Sequence, residues 1–341
     1  MDPAPGMKTL TIPAIAVIVL IVAAIFAPLD RHLAMEILLV FAMAQGWNLM
    51  SGYAGLFSFG HQAFVGLGAY TLYLGVDAFG LTPFAALPFS ALVCLGAALA
   101  MAWLLHGARD AYYSIAIWVL ADSLRLLFGQ WDVVGGSRGL VLDASAIDPA
   151  TFNDALFWIA LALASATLVG VYALLRSRLG LALMAARDDE QGATSVGVAV
   201  ARNRLVAFLI SAAICGVGGA VYYLSILYVD PTGAFDIDWQ IRLFFIVIVG
   251  GVGSLEGPII GAALYFVLRE ALRDAGDLYL IAQGAATAAI VLFAPRGLWG
   301  LVQERTGWRI FPVAWTPGPL ARAPEARKPP TNRRSSTEAP G

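Results

Sequence analysis

The chain has 341 residues, of which 60% are hydrophobic and 13% charged, with a formal net charge of −2 and a mean hydropathy of +0.77. Soluble domains carry about 25% charged residues, so too few charges exist here to cover a water-facing surface. The class is an all-α polytopic membrane protein. The charge balance offers no basic patch for nucleic acid, and Cys94 and Cys215 lie in apolar segments, where they read as small core residues and not as a disulfide or metal pair.

Taken in order, residues 1–9 form a short N-terminal segment and residues 10–295 the membrane domain. Leu10 to Pro28 follows Lys8 and suits a signal peptide, but a second span follows almost at once, which favours an uncleaved first helix. Leu33 to Met50 is span two, close to the roughly 20 residues a bilayer needs. A Gly-rich break runs from Ser51 to His61. Ala63 to Leu81, Phe84 to Leu105 and Ala111 to Phe128 are spans three to five. An acidic loop carries Asp132, Asp143, Asp148 and Asp154 against Arg138 alone. Leu156 to Leu175 is span six, and Leu205 to Leu227 is span seven, followed by Asp230, Asp236 and Asp238.

Between spans six and seven, residues 176–204 hold Arg176, Arg178, Arg187, Arg202 and Arg204, a density that marks a cytoplasmic loop. Gly180 to Glu190 suits a short amphipathic helix with Leu181, Leu183 and Met184 on its apolar side, and Gly192 and Gly197 are natural stops for it. The tail, residues 296–341, is also rich in arginine and should lie on the same side, with disorder expected after about residue 312. Only an even number of crossings between loop and tail allows that. Two short spans, Ile241 to Gly251 and Ile259 to Leu272, with Leu278 to Ala294, bring the total to about ten, both termini being cytoplasmic. The two short segments, which meet at a Gly-rich turn, could equally be re-entrant.

The two Gly-rich interruptions are candidate pathway elements: Gly52, Gly55, Ser58, Gly60 and His61 in the first, and Gly250, Gly251, Gly253, Ser254 and Gly257 in the second. Two readings stand side by side. Small residues let helices pack closely in lipid, and broken helices expose backbone groups to a solute near the midplane. Asp122 and Arg125, three residues apart in span five, share one helix face and read first as a structural ion pair near the outer end. Glu36 reads as reaching the headgroups, and His61 and His106 as lying near cytoplasmic ends without partners at metal-ligand spacing. Lysine occurs only at Lys8 and Lys328, so no phosphate-binding Gly-Lys loop exists, and active transport would need an ion gradient or a partner that uses ATP.

Four stretches in order then carry a resemblance: Ser51 to Tyr70, Asp122 to Arg125 with Trp131 and Gly135 to Leu140, Gly180 to Gly197, and Gly250 to Ala262. Together they resemble the inner-membrane permease subunits of branched-chain amino acid ABC transporters. That resemblance implies a multi-pass protein of the bacterial inner membrane, moving leucine, isoleucine and valine by alternating access. It also implies a homologous second permease, two cytoplasmic ATPases that use ATP, and a periplasmic solute-binding protein. Arg187, Asp188, Asp189, Glu190 and Gly197 would belong to the loop that contacts the ATPase. No residue would be catalytic, and no cofactor or metal would be held by this chain. Related permeases move urea, short amides and other amino acids, and from another class a stand-alone ion-coupled carrier remains the alternative.

Overall fold

The computed structural model describes residues 30–108, 110–142, 148–273, 276, 278–307 and 310–311. Its elements are α1 (Arg31–Asn48), one π-helical turn (Leu49–Tyr53), α2 (Gln62–Asp77), α3 (Ala86–Leu104), α4 (Asp110–Gln130) and β1 (Leu140–Val141). They continue as α5 (Pro149–Leu175), α6 (Arg178–Asp188), α7 (Glu190–Ser195), α8 (Val200–Ile226) and β2 (Tyr228–Val229). The chain closes with α9 (Pro231–Ala234), α10 (Ile237–Gly250), α11 (Gly257–Ala271), α12 (Leu278–Phe293) and α13 (Gly297–Thr306). The two strands form a two-residue antiparallel clasp, Leu140 opposite Val229 and Val141 opposite Tyr228, the one departure from an all-helical fold among the described residues.

Among the described residues, Arg31–Tyr53, Ala86–Leu104, Ala111–Gln130, Thr151–Leu175 and Val200–Ile226 are long and apolar enough to cross a membrane. A sixth span results if Tyr279–Phe293 and Gly297–Thr306, bent by 40°, are taken together. Leu10 to Pro28 and the tail beyond residue 311 lie outside the described residues. Each of the other nine expected spans corresponds to a helix, but α2, α10, α11 and α12 hold 14 to 16 residues. At 1.5 Å per residue each is about 21–24 Å long, short of a hydrocarbon core about 30 Å thick.

Helix α1 is the axis of the bundle. Its most apolar window is 89% buried, against 28% for α3 and α4, and it packs against α5, α8, α10 and α11. Leu92, Trp103, Leu126 and Leu127 on α3 and α4 stay exposed, as befits lipid-facing helices. Without a hydrophobic drive between helices in lipid, close approach needs small residues. The α2–α8 seam supplies them, for a Cβ at Gly68 would strike the backbone of Gly216 and one at Gly219 would strike Val65. Cys94 and Cys215 are buried thiols in the same region.

The caps explain where helices start. Asp148 accepts from the Thr151 amide at 3.1 Å to begin α5, and Asp236 accepts from the Asp238 amide at 2.8 Å to begin α10. The expectation that Glu36 reaches the headgroups is corrected. Glu36 is buried and takes two hydrogen bonds from Arg269 of α11, at 2.5 and 2.8 Å, because a carboxylate facing the bundle must be paired.

Candidate functional site

Helix α1 loses its regular ladder at Leu49–Tyr53, where the Ala54 amide reaches back five residues to the Leu49 carbonyl at 3.1 Å. A π turn widens the helix at that point. From Ala54 the chain runs back into the bundle beside α4. The Ser114 hydroxyl donates to the Phe57 carbonyl at 2.6 Å, and Gly60 lies so close to Ile117 that a Cβ would press on its carbonyl oxygen. Helix α2 therefore starts inside the bundle. Its first residues sit level with Ser211 of α8, whose hydroxyl is 2.7 Å from His61 Nε2. Ser211 lies six residues beyond Leu205, about 9 Å along α8. His61 is thus fully buried and bonded to Ser211 and Gln240.

The second break, between α10 and α11, folds against the first. Gly52 packs on Gly253 so closely that a Cβ at residue 52 would run into the Asn48 carboxamide and the Gly253 amide nitrogen. Asn48 stitches the two together: its Nδ2 donates to the Ser254 carbonyl at 2.8 Å, and its Oδ1 accepts from the Gly253 amide at 2.9 Å. Gln45, one turn earlier on α1, donates to the Leu255 carbonyl at 2.6 Å. Within the second break the Ser254 hydroxyl donates to the Gly251 carbonyl at 2.7 Å and accepts from the Gly257 amide at 3.1 Å. Gly250 abuts Gly257 and Gly261, and Gly251 and Gly253 adopt φ of 138° and 71°, which only glycine takes without strain. In the first break the Trp47 indole donates to the Ser58 carbonyl at 2.8 Å.

The charged loop closes this joint from one end. Arg187 Nη1 donates to the Gly52 carbonyl at 3.0 Å, and its side chain passes over Gly55 and beside Gly253. Arg204 Nε donates to the Ala54 carbonyl at 3.2 Å while its Nη1 pairs with Glu190 at 2.6 Å. Helix α13 is at the same end, with Gly297 against Gly251. The loop helix is α6, capped by Ser177 on the Leu179 amide at 3.2 Å. Gly192 does not stop it. The chain breaks at Asp189, whose carboxylate accepts from the Gly192 amide at 3.0 Å and starts α7, so Gly192 lies inside a helix. Nor does Gly197 stop it, since at φ 89° it follows α7 instead. On α6, Leu183 is buried and Met184 half-buried, but Leu181 is 44% exposed, and Val196 after α7 is 79% exposed.

The predicted site residues divide accordingly. Gly52, Gly55, Gly253, Ser254, Gly257 and Arg187 come together in one joint, while Gly60 and His61 sit deeper, at the start of α2. The backbone groups that a broken helix would offer to a solute are, at this joint, taken by side chains of the same chain. Arg187 and Glu190 are likewise bonded inward, to Gly52 and Arg204, and Asp189 is a helix cap. Asp188, bonded only to its neighbour Arg187 at 2.9 Å, stays exposed. Asp122 and Arg125 form the expected pair, Nε to Oδ1 at 2.7 Å, in the second half of α4.

Sequence reasoning missed Gln45, Asn48, Gln62, Gln240 and Ser211. Their signal was a polar side chain inside an apolar run, read over in favour of charges. Gln62 opens α2 and is 1% exposed, with its Oε1 bonded to nothing among the described residues. It lines a pocket of about 270 Å³ with Trp118, Asp122, Arg125, Thr232, Phe235, Asp236 and Ile237. The neighbouring His61 Nδ1 and Gln240 Nε2 are also buried and partnerless among the described residues. Buried polar atoms in lipid are normally paired, so such a cluster marks a place that another group completes.

Residues 31–295 match the family described as the branched-chain amino acid transport system / permease component. The high-affinity branched-chain amino acid transport system permease protein LivM of Salmonella typhimurium is 29% identical over 280 residues, covering 74% of this chain and 66% of that protein. Its Escherichia coli K12 counterpart is 28% identical over the same length and shares. The probable branched-chain amino acid transport permease protein LivH of Methanocaldococcus jannaschii is 26% identical over 267 residues, 72% of this chain and 83% of that protein. The chain thus spans just under two thirds of the length of the two bacterial relatives. No solved structure matches.

Proposed function

The chain belongs to the branched-chain amino acid transport permease family, and from that premise we propose that it is a pathway-forming subunit of an ATP-driven importer for leucine, isoleucine and valine. A homologous second permease, two cytoplasmic ATPases and a periplasmic solute-binding protein complete the assembly, in a bacterial inner membrane. The protein is multi-pass, and ten spans with both termini cytoplasmic is the topology we adopt. It agrees with the common end shared by α6, α7, α13 and both Gly-rich turns.

One observation carries the proposal. The polar helix α6, which no apolar span would need, holds Arg187 in a slot walled by Gly55 and Gly253, one glycine from each broken element. A push on α6 therefore reaches both breaks through one guanidinium. Rigid packed elements with discrete arrangements transmit such displacements. ATP-driven closure of the ATPases would move α6, and the jointed helices would follow. The exposed apolar residues Leu181 and Val196, on an otherwise charged loop, suit insertion into a partner surface.

The test is co-purification from the native membrane. Wild type should recover ATPases, and the Leu181→Asp, Val196→Asp double variant should lose them while keeping the second permease. Arg187 and Glu190 are poor choices for this purpose, since both already bond within the chain. Recovery of the protein alone, with uptake that survives ATP depletion but collapses under an uncoupler, would replace the proposal with an ion-coupled carrier.

A further inference from the structure

We infer that the pocket between α2, α4 and the α9–α10 turn is a solute subsite for a zwitterionic α-amino acid with a small apolar side chain. The inference rests on the importer reading above and adds to it the residues that meet the solute.

The pocket carries complementary features for each part of such a molecule. Gln62 Oε1 is a buried acceptor with no partner among the described residues, and Gln62 and Asp122 both line the pocket. Two acceptors at one wall suit an ammonium group, which brings three donors. Arg125 uses only Nε on Asp122, leaving both terminal nitrogens without a partner among the described residues, and a planar guanidinium suits a carboxylate. The starts of α2 and α10 both border the pocket through Gln62 and Ile237, and the positive ends of those helices favour an anionic group there. Trp118, Phe235 and Ile237 supply the apolar wall for an aliphatic side chain. The volume of about 270 Å³ suits a single small solute.

The ion pair alone would be explained as structural. What distinguishes this place is the buried carboxamide beside it, which a structural pair does not require. The site also lies where α2 and α10 both start. The lining holds two carboxylates, Asp122 and Asp236, against one guanidinium, Arg125, and a zwitterion adds no net charge to it on entry.

The experiment uses a diazirine analogue of leucine on the purified transporter complex, with sites of attachment read by mass spectrometry. Wild type should label within residues 118–125 or 232–237, and excess leucine should abolish the signal. Gln62→Leu should lower that labelling about tenfold, and Gln62→Glu, which keeps an acceptor, should retain most of it. Arg125→Gln should lower it similarly, and leucinamide, which lacks the carboxylate, should compete poorly with the wild type. Labelling confined to other segments, or unchanged in both Gln62→Leu and Arg125→Gln, overturns the subsite. ATP-dependent uptake by wild-type vesicles is measured in parallel. Absence of that uptake sinks the importer reading, whereas uptake without labelling of the pocket sinks only the subsite.

Discussion

The joint at Gly52 and Gly253 and the pocket at Gln62 are built on the same two broken elements, yet they differ in how far their polar groups are paired. At the joint, the carbonyls of Gly52, Ala54, Ser254 and Leu255 and the amide of Gly253 all have side-chain partners. Side-chain atoms fare differently: Gln45 Oε1 at the joint and, some ten residues away along the first break, Gln62 Oε1, His61 Nδ1 and Gln240 Nε2 have no partner among the described residues. The unpaired atoms are buried, so solvent does not complete them. A broken helix in lipid must satisfy its freed backbone, and the chain has done so with amides and arginines. It has left side-chain atoms, not backbone, to be completed by something else. Glycine-rich breaks in this protein are therefore mechanical, and the polar site lies beside them.

Substitutions break or sharpen that contrast. The largest effect is expected for Gly52→Val, because a branched side chain meets the Asn48 carboxamide and the Gly253 backbone in a space that has no slack. The loss should be about 3 kcal/mol or more, seen as a large drop in the melting temperature of the detergent-purified protein. Asn48→Leu keeps volume but strands the Ser254 carbonyl and the Gly253 amide. Two buried groups left unpaired should cost about 2–4 kcal/mol, measurable by the same melting curve. Gln62→Leu should go the other way. Replacing a partnerless buried carboxamide with an apolar group of like size should leave the solute-free protein unchanged or up to about 1 kcal/mol more stable. A destabilised Gln62→Leu protein would mean that Gln62 is held by the fold, and the contrast would fail. The smallest effect belongs to Gly197→Ala. That residue sits at φ 89° in open space, so only backbone strain of about 1 kcal/mol is added.

Much of the fold was legible because lipid imposes simple rules. Long apolar runs bounded by arginines and aspartates gave nine helices close to their observed limits, and the parity argument put the 250–257 turn and α13 at the same end as α6. What was not legible came from pairing across distance. Glu36 met Arg269 from 233 positions away, and no local pattern announces such a partner. Gly192 looked like a helix stop because glycine often is one, but Asp189 three residues earlier captured its amide and began a new turn. His61 was read as lacking partners at ligand spacing, and its actual partner, Ser211, comes from 150 positions away. The amides Asn48 and Gln62 were overlooked for a different reason. In an apolar run a single amide carries little weight in a charge count, although it cannot be buried in lipid without consequence.

The central claim is that Arg187 joins the cytoplasmic helix to both breaks, and coupling stoichiometry in reconstituted vesicles tests it most directly. The transporter complex, carrying wild-type chain or Arg187→Ala, would be assayed for ATP hydrolysed and leucine taken up in the same sample. The account predicts that the variant still binds its ATPases and hydrolyses ATP, while uptake per ATP falls about tenfold or more, because one charge-assisted hydrogen bond of about 1.5–3 kcal/mol is removed from the joint. Uptake per ATP equal to wild type would show that motion reaches the pathway by another route, and the joint would then be no more than a packing contact.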